Sequence, residues 1–454
     1  MRNNIIIGLL FFAGFWIAFL ALQNEKIYFN TLGKVSGNYF LMEDGMRGKE
    51  KKTYEKITVE NTLHWDGEQY HLIKEDGYSA DKDCKFAFFP LFPYLWKFST
   101  ISPPNIIFFN FFMFITGLLL LAYLFKQKWQ NVLLILSLPM VVVFLIPYSE
   151  ATFFLMFSIA VWGYMKDKYW LYFIAMVLAS LSRNTILLIL PAILCAEFLF
   201  CIKERNLRQS LSRLCMASLP ILIGTAFVSL IQYGYGSGSV FKFLEVQKYW
   251  GHSFSFPNLK HLTDWSYESF AVNVPTLIMV GIPLVVYLIF FTLKQFNILK
   301  SNHHFLQLTS GNKSDYLNLV LIFCCISAFS SVIFFRNGCL CGLSRFVLCS
   351  PYFVILMFIN QKKLLNVTMI KRVIVFALLA FISLGVFRYG GYIQHFGFHY
   401  LGYFIFVGVM ALYLFKDTKF KFAYNISLVI ILLLNILWTS FLFNMYLCDG
   451  WIYT

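Results

Sequence analysis

Charge is what this chain has least of. Only 13% of its 454 residues are Asp, Glu, Lys or Arg, about half the share of an ordinary soluble domain. That leaves too little polar surface for a water-soluble fold of this size, and it excludes a soluble enzyme and a disordered chain alike. Cysteine is present without a pattern. The ten residues are scattered, most of them in apolar runs where a thiol acts as a small hydrophobe. Neither a CxxC pair nor a Cys/His cluster with zinc spacing occurs, and the scatter excludes a secreted disulfide scaffold. Cys84, Cys339, Cys341 and Cys448 fall in segments expected to face outward, where an oxidising compartment would let them pair. Also missing are a Gly-rich nucleotide loop, a repeat of 20–50 residues and any low-complexity tract.

What the chain does have is apolar residues, at 59%, with 53 Phe among its 20% aromatics. The reading is an all-α polytopic membrane protein. Residues 5–22 can cross about 30 Å of hydrocarbon as a helix. No Ala-x-Ala cleavage site follows, so an uncleaved anchor fits better than a signal peptide. A polar stretch follows from about 23 to 105. Apolar runs then recur near 106–125, 131–147, 151–165, 169–182, 184–202, 214–233, 272–293, 317–335, 346–359, 373–387, 401–415 and 424–443. The sequence therefore predicts about thirteen spans in one domain over 1–454, several of them short. Alternate connections hold about 19 basic residues against about seven in the other short set, which makes the first set cytoplasmic. The N-terminus is then inside, and the C-terminus and the 23–105 loop are outside. The net charge of +15 becomes a topology signal, not a nucleic-acid surface. The Lys-, Asn-, Ile- and Phe-rich composition is compatible with a bacterial inner (plasma) membrane.

Polar residues on the outward face are clustered. The first loop carries His64-Trp65-Asp66-Gly67-Glu68-Gln69-Tyr70, then Gly77-Tyr78, then Phe86-Ala87-Phe88-Phe89-Pro90-Leu91-Phe92-Pro93. The last stretch is too short to span, and its aromatics suit a segment lying in the interface. A short helix over Gly67–Glu75 would make Asp66 an N-cap, a bland alternative to a chemical role. Later outward connections contain Tyr148-Ser149-Glu150, Ser182-Arg183-Asn184, Gln247-Lys248-Tyr249-Trp250 and Ser344-Arg345-Phe346. Ionisable groups beside apolar helices tend to line functional cavities. The plainer roles are snorkelling for Arg183 and Arg345, a first-turn carboxylate for Glu150 and an interfacial anchor for Trp250.

This ordered series of HWDGEQY, GY, FAFFPLFP, PYSE, LSRN, QKYWG and LSRFVLCSP resembles the PIG-V-type mannosyltransferases, integral-membrane glycosyltransferases of the GT-C class. It covers roughly residues 60–355. The resemblance implies a polyprenyl-phosphate sugar donor used on the non-cytoplasmic face, with the outward Asp of the first loop, here Asp66, as catalytic base. His64 stands where the family has Arg, and a charged insert at about 43–60 precedes the Trp-Asp pair. These departures, and the Asn-Thr that follows Arg183 where the family has a small or Gly-containing continuation, bear on the acceptor and the sugar more than on the reaction class.

The chemistry fits a single carboxylate. Glycoside hydrolysis needs a second one to protonate an alkoxide, whereas a phosphate monoester, with its second pKa near about 6, leaves unaided. One base then suffices, and direct displacement inverts the anomeric centre. Arg345 and Arg183 are the candidates for the donor phosphate, because a planar guanidinium grips two oxygens. His64, Trp65, Glu68, Tyr78, Glu150, Gln247 and Trp250 are candidates for sugar or acceptor. No cofactor is expected. Asp66-x-Glu68 keeps a divalent metal open, but no further acidic ligand lies near. The expected partners are that donor, a lipid-linked or envelope acceptor and membrane lipids. The expected activity moves mannose or a similar hexose. Its rivals are an envelope-glycan polymerase or ligase using a diphosphate-linked donor and a transporter or flippase of lipid-linked sugars.

Overall fold

A computed structural model describes residues 2–33, 54–258, 267–296, 298, 312–336, 338–389, 399–416, 420–450 and 452. Within them the chain is all helical, without a β-strand. The charged insert falls outside the described residues up to position 53.

Seven helices are long and apolar enough to cross a membrane: Pro103–Leu124, Asn184–Glu204, Leu207–Gly234, Ala271–Gln295, Lys313–Phe335, Met369–Val386 and Lys421–Leu447. An eighth is formed by the first apolar run if Ile6–Leu22 and Glu25–Gly33, bent by 89° at their junction, count as one. Glu150–Met165, Tyr169–Ser180, Pro351–Gln361 and Tyr400–Leu414 are shorter apolar helices. Full-length helices among the described residues are thus fewer than the thirteen apolar runs. Proline and a serine cap account for two of the differences.

The 131–147 run shows how. Its helix ends at Leu136, before Pro139, because proline disfavours helical geometry in the residue ahead of it and offers no N–H. A single 3-10 turn, Val141–Phe144, follows, and then Pro147. Broken backbone at such depth must find partners inside the protein. Asn435 Nδ2 donates to the carbonyls of Leu136 and Leu138 (2.9 and 3.0 Å), and Trp438 Nε1 to that of Pro139 (3.1 Å). Asn110 Nδ2 serves Ile146 and Tyr148 (2.6 and 3.1 Å). This buried, side-chain-braced segment delivers Tyr148-Ser149-Glu150 to one end of the bundle.

A second break does the same for Arg345. The 346–359 run splits into Leu343–Leu348 and Pro351–Leu365. Ser350 caps the second helix by accepting from Phe353 N (3.4 Å), and Pro351 occupies its first turn, where no donor is needed.

Over this end lies a cap built from the first loop. The Asp66–Asp76 helix and the Leu91–Ser99 helix share an aromatic core of Tyr70, Ile73, Phe86, Phe88, Phe92 and Trp96. Phe92 meets Tyr70 edge-on at 5.1 Å, and Trp96 Nε1 donates to Ile101 O (2.8 Å). Leu91–Ser99 buries Phe92 and Trp96 while Phe98 is 82% exposed. At nine residues, about 14 Å long, it is amphipathic and cannot span.

Candidate functional site

Asp66 is placed by strain and close packing. Trp65, ahead of it, has φ 53° and ψ −128°, a conformation that costs a non-glycine residue about 1–3 kcal/mol and usually marks a functional constraint. Tyr446, on the Lys421–Leu447 helix, clamps the turn. Its hydroxyl lies 3.0 Å from the carbonyls of Thr62 and His64 and accepts from His64 N (3.3 Å). Gly67 is required here, since a Cβ would sit 2.6 Å from Pro147 Cγ and 2.7 Å from Tyr446 Oη. The N-cap of the helix is Trp65, without a side-chain cap bond. The capping alternative for Asp66 is therefore overturned, because the backbone twist at Trp65 makes Asp66 the first helical residue.

The carboxylate turns to Arg345 instead. Arg345 Nη2 donates to Asp66 Oδ2 at 2.7 Å, and Arg345 Nε donates to Glu150 Oε1. The same Glu150 oxygen pairs with Arg183 Nη1. Glu150 is 2% exposed, Arg345 9% and Asp66 22%. Both arginines are thus locked into buried ion pairs and do not snorkel. Glu150 does open its helix, yet its side chain serves the arginines. Arg345 also lies 4.5 Å from the centroid of Tyr148. Removing one partner of such a network is costly because the remaining charge stays buried.

A cavity of about 900 Å³ opens beside these groups, near the upper end of small-molecule clefts, about 300–1,000 Å³. Asp66, Arg183, Arg345, His64, Trp65, Glu68, Gln247 and Trp250 all line it. Trp250 is partly exposed on the wall, edge-on to Phe88 at 5.8 Å. His64 has Nδ1 3.3 Å from Asp449 Oδ1 and Nε2 3.3 Å from Leu447 O. Two expectations fail. Tyr78 is buried, stacked on Phe86 (5.5 Å, 7°), and donates to Phe88 O (2.7 Å). It is part of the cap's core and not a sugar platform, because its loop folds under the helix. Glu150 sits beneath the cavity as a buttress and is not on its wall.

The sequence reading missed four residues. Tyr446 and Asp449 come from the far end of the chain. Arg336 and His252 are joined by backbone pairing between residues 253–255 and the end of the Lys313–Phe335 helix, with Ser253 N to Phe335 O at 3.1 Å and Ser255 N to Phe334 O at 2.8 Å. Burial, helped by Arg336, holds the His252 imidazole down at about 4. Burial beside Arg345 brings Arg336 down to about 10. Cys339 and Cys341, two of the outward cysteines, border the cavity. Asp66 is paired with Arg345. Among the described residues no group of three His, Cys, Asp or Glu side chains could hold a metal ion.

Comparison with protein-family models, curated proteins and solved structures finds no match. The functional reading therefore rests on the site's own chemistry.

Proposed function

We propose that this membrane protein is a glycosyltransferase that moves a hexose, mannose or a close relative, from a polyprenyl-phosphate donor to a hydroxyl of a lipid-linked or envelope acceptor. The observation that carries this reading is the convergence of Asp66 with Arg345, Glu150 and Arg183 at one wide cavity, at one end of a bundle of apolar helices. A prenyl tail stays among such helices while its phosphosugar reaches a polar cleft. The ordered motif series that resembles the PIG-V-type enzymes of the GT-C class points the same way. So does the excess of basic residues in alternate connections, which supports a non-cytoplasmic side for this end.

In the proposed step an acceptor hydroxyl attacks the anomeric carbon as its bond to the donor phosphate oxygen breaks. The hydroxyl proton passes to Asp66, and the electron pair of the broken bond leaves with the polyprenyl phosphate. Asp66 Oδ2 is held by Arg345, while among the described residues Oδ1 has no hydrogen-bond partner. Oδ1 is therefore the oxygen that takes the proton. Arg345 fixes the carboxylate's direction, and Glu150 fixes Arg345. Attack opposite the leaving group inverts the centre. The cap helix, tied down by Tyr70 Oη to Ser149 Oγ at 2.7 Å, keeps the base in register with the arginines.

The test is transfer by purified protein from a polyprenyl-phosphate hexose. A positioned base contributes about 10²–10⁴-fold, so Asp66→Asn should lose that much turnover per folded molecule, with a lowered thermal midpoint because Arg345 keeps one buried carboxylate instead of two. A folded Asp66→Asn enzyme with near-normal turnover would sink the mechanism.

A further inference from the structure

The three cavity arginines are not equivalent. Arg345 spends Nε on Glu150 and Nη2 on Asp66, and Arg183 spends Nη1 on Glu150. Two cations and two carboxylates cancel. Among the described residues no carboxylate lies within ion-pair distance of Arg336. Its Nη1 donates to the Cys341 carbonyl at 2.7 Å, and its guanidinium lies 5.5 Å from the Phe346 ring centroid. That fixes its plane and leaves donors unspent. Its position is fixed as well, because the residue itself forms the bridge to Ser253. Glu68 and Asp449 line the same wall and make no ion pair with it. Glu68 is exposed and Asp449 is engaged with His64. Among the described residues the cavity wall thus carries an immobilised guanidinium that is not ion-paired, which suits it to bind an anion.

The neighbouring His252 adds a complementary group. Gln247 Nε2 donates to Phe243 O at 3.0 Å, so Gln247 Oε1 is the acceptor that faces His252 Nδ1 at 2.9 Å. Nδ1 must then carry the proton, and Nε2 is left as an acceptor. The low value of about 4 for this imidazole agrees with a neutral ring. A fixed guanidinium beside a fixed acceptor suits a phosphate bonded to a hydroxylated group.

We infer that Arg336 is the anion-binding residue of the cavity, taking the phosphate that links lipid to sugar, with His252 Nε2 accepting from a sugar hydroxyl. Arg345 and Arg183 are then positioning residues that hold Asp66 and do not grip the donor. Naming the anion as the donor's phosphate rests on the proposed function. The anion site itself rests on the fixed guanidinium of Arg336, whose remaining donors no described carboxylate takes up.

The experiment titrates the detergent-solubilised full chain with a short polyprenyl monophosphate, with the corresponding polyprenol and with inorganic phosphate, and measures transfer separately. Wild type should prefer the lipid phosphate to the polyprenol. Arg336→Ala should lose roughly 10- to 100-fold in lipid-phosphate affinity with polyprenol binding unchanged, and Arg336→Lys should recover part of it. Competition by inorganic phosphate also supports the site and places recognition in the phosphate and not in the tail. Folded Arg336→Ala and Arg336→Lys variants that keep the full phosphate preference overturn the inference. In transfer, Arg336→Lys should raise KM for the donor more than it lowers kcat, and an unchanged KM counts against it. Arg336-dependent binding without any hexose transfer leaves the anion site standing and removes the glycosyltransferase reading. Transfer with phosphate binding indifferent to Arg336 does the reverse.

Discussion

Two arginines in this molecule are each gripped by two carboxylates, and they sit near opposite ends of the same helix. Arg345 joins Glu150 and Asp66 where the Glu150–Met165 helix begins. Near the other end of that helix, about 24 Å away by its length, Arg213 joins Glu197 and Glu204. Its Nε and Nη2 lie 3.1 Å from Glu197 oxygens, and its Nη1 lies 2.9 Å from Glu204. Local chemistry alone does not separate the two. Their surroundings do. Arg213's partners are nine and sixteen residues away, across the turn between Ile189–Glu204 and Leu207–Gly234, so the triad clasps one hairpin. Arg345's partners are 195 and 279 residues away, so its triad ties three remote segments together. The cavity beside Arg213 is about 280 Å³ and mostly apolar, against about 900 Å³ at Arg345. The Arg345 end adds the strained Trp65 turn beside Asp66 and, in Arg336, a fixed guanidinium that no described carboxylate pairs. A carboxylate–arginine triad is a common clasp; long-range assembly over a polar cavity is what marks a site.

The sharpest way to break that contrast is by charge removal at equivalent positions. Asp66→Asn should cost about 10²–10⁴-fold in transfer, whereas Glu204→Gln should leave transfer within about twofold. Equal losses in the two variants would mean that both triads are structural.

Stability should separate the triads next. Glu150→Gln leaves Arg183 unpaired and the buried cluster one positive charge in excess, which costs about 3–5 kcal/mol. Glu197→Gln leaves Arg213 with Glu204 and with access to water, since its side chain is 26% exposed. The expected cost there is about 1 kcal/mol. Denaturation midpoints of the two variants in one detergent give the ranking, and a larger loss for Glu197→Gln contradicts the comparison.

A third substitution touches no charge. Gly67→Ala places a methyl against Pro147 and Tyr446, so the turn that aims Asp66 must shift. Overpacking costs about 1–3 kcal/mol, and a displaced base lowers transfer by about 10–100-fold. Unchanged transfer in a folded Gly67→Ala enzyme would mean that contact with Pro147 and Tyr446 does not set the turn.

Much of this was legible in the sequence and some of it could not be. The apolar runs marked the helices because their composition is one-sided over 15 to 25 residues. Asp66, Arg183 and Arg345 stood out because each puts charge beside an apolar segment, and the structure gathers all three at one cavity. The runs did not reveal that 131–147 and 346–359 are broken. A proline or serine breaks a helix only if the freed carbonyls find partners, and here those partners, Asn435 and Trp438, lie almost 300 residues away. Tyr78 was misjudged for a related reason: an aromatic in a polar loop looks like a platform until the loop folds over it. Arg336 was visible as an outward basic residue, but its lack of a carboxylate partner could not be read without the pairing of Arg345 and Arg183. Tyr446 and Asp449 carried no local signal.

The smallest expected effect is a pH dependence confined to the cavity end. His252 is held at about 4 in the fold, against about 6.5 in the unfolded chain. Its pKa is lowered, so the unfolded state binds more protons between those values, and stability falls as pH drops through that window. Above about 6.5 the contribution is fully present, and below about 4 it is gone. The loss amounts to at most one proton, and solvent reaching the partly exposed ring reduces it further. His252→Gln should flatten the difference between pH 7 and pH 4.5 without altering stability above pH 7. Among the described residues no histidine lines the Arg213 cavity, so Glu204→Gln should leave this pH term intact. Denaturation midpoints of wild type and both variants across that range decide it. A slope that survives in His252→Gln assigns the proton elsewhere, and a slope lost in Glu204→Gln moves the pH sensitivity to the wrong end of the molecule.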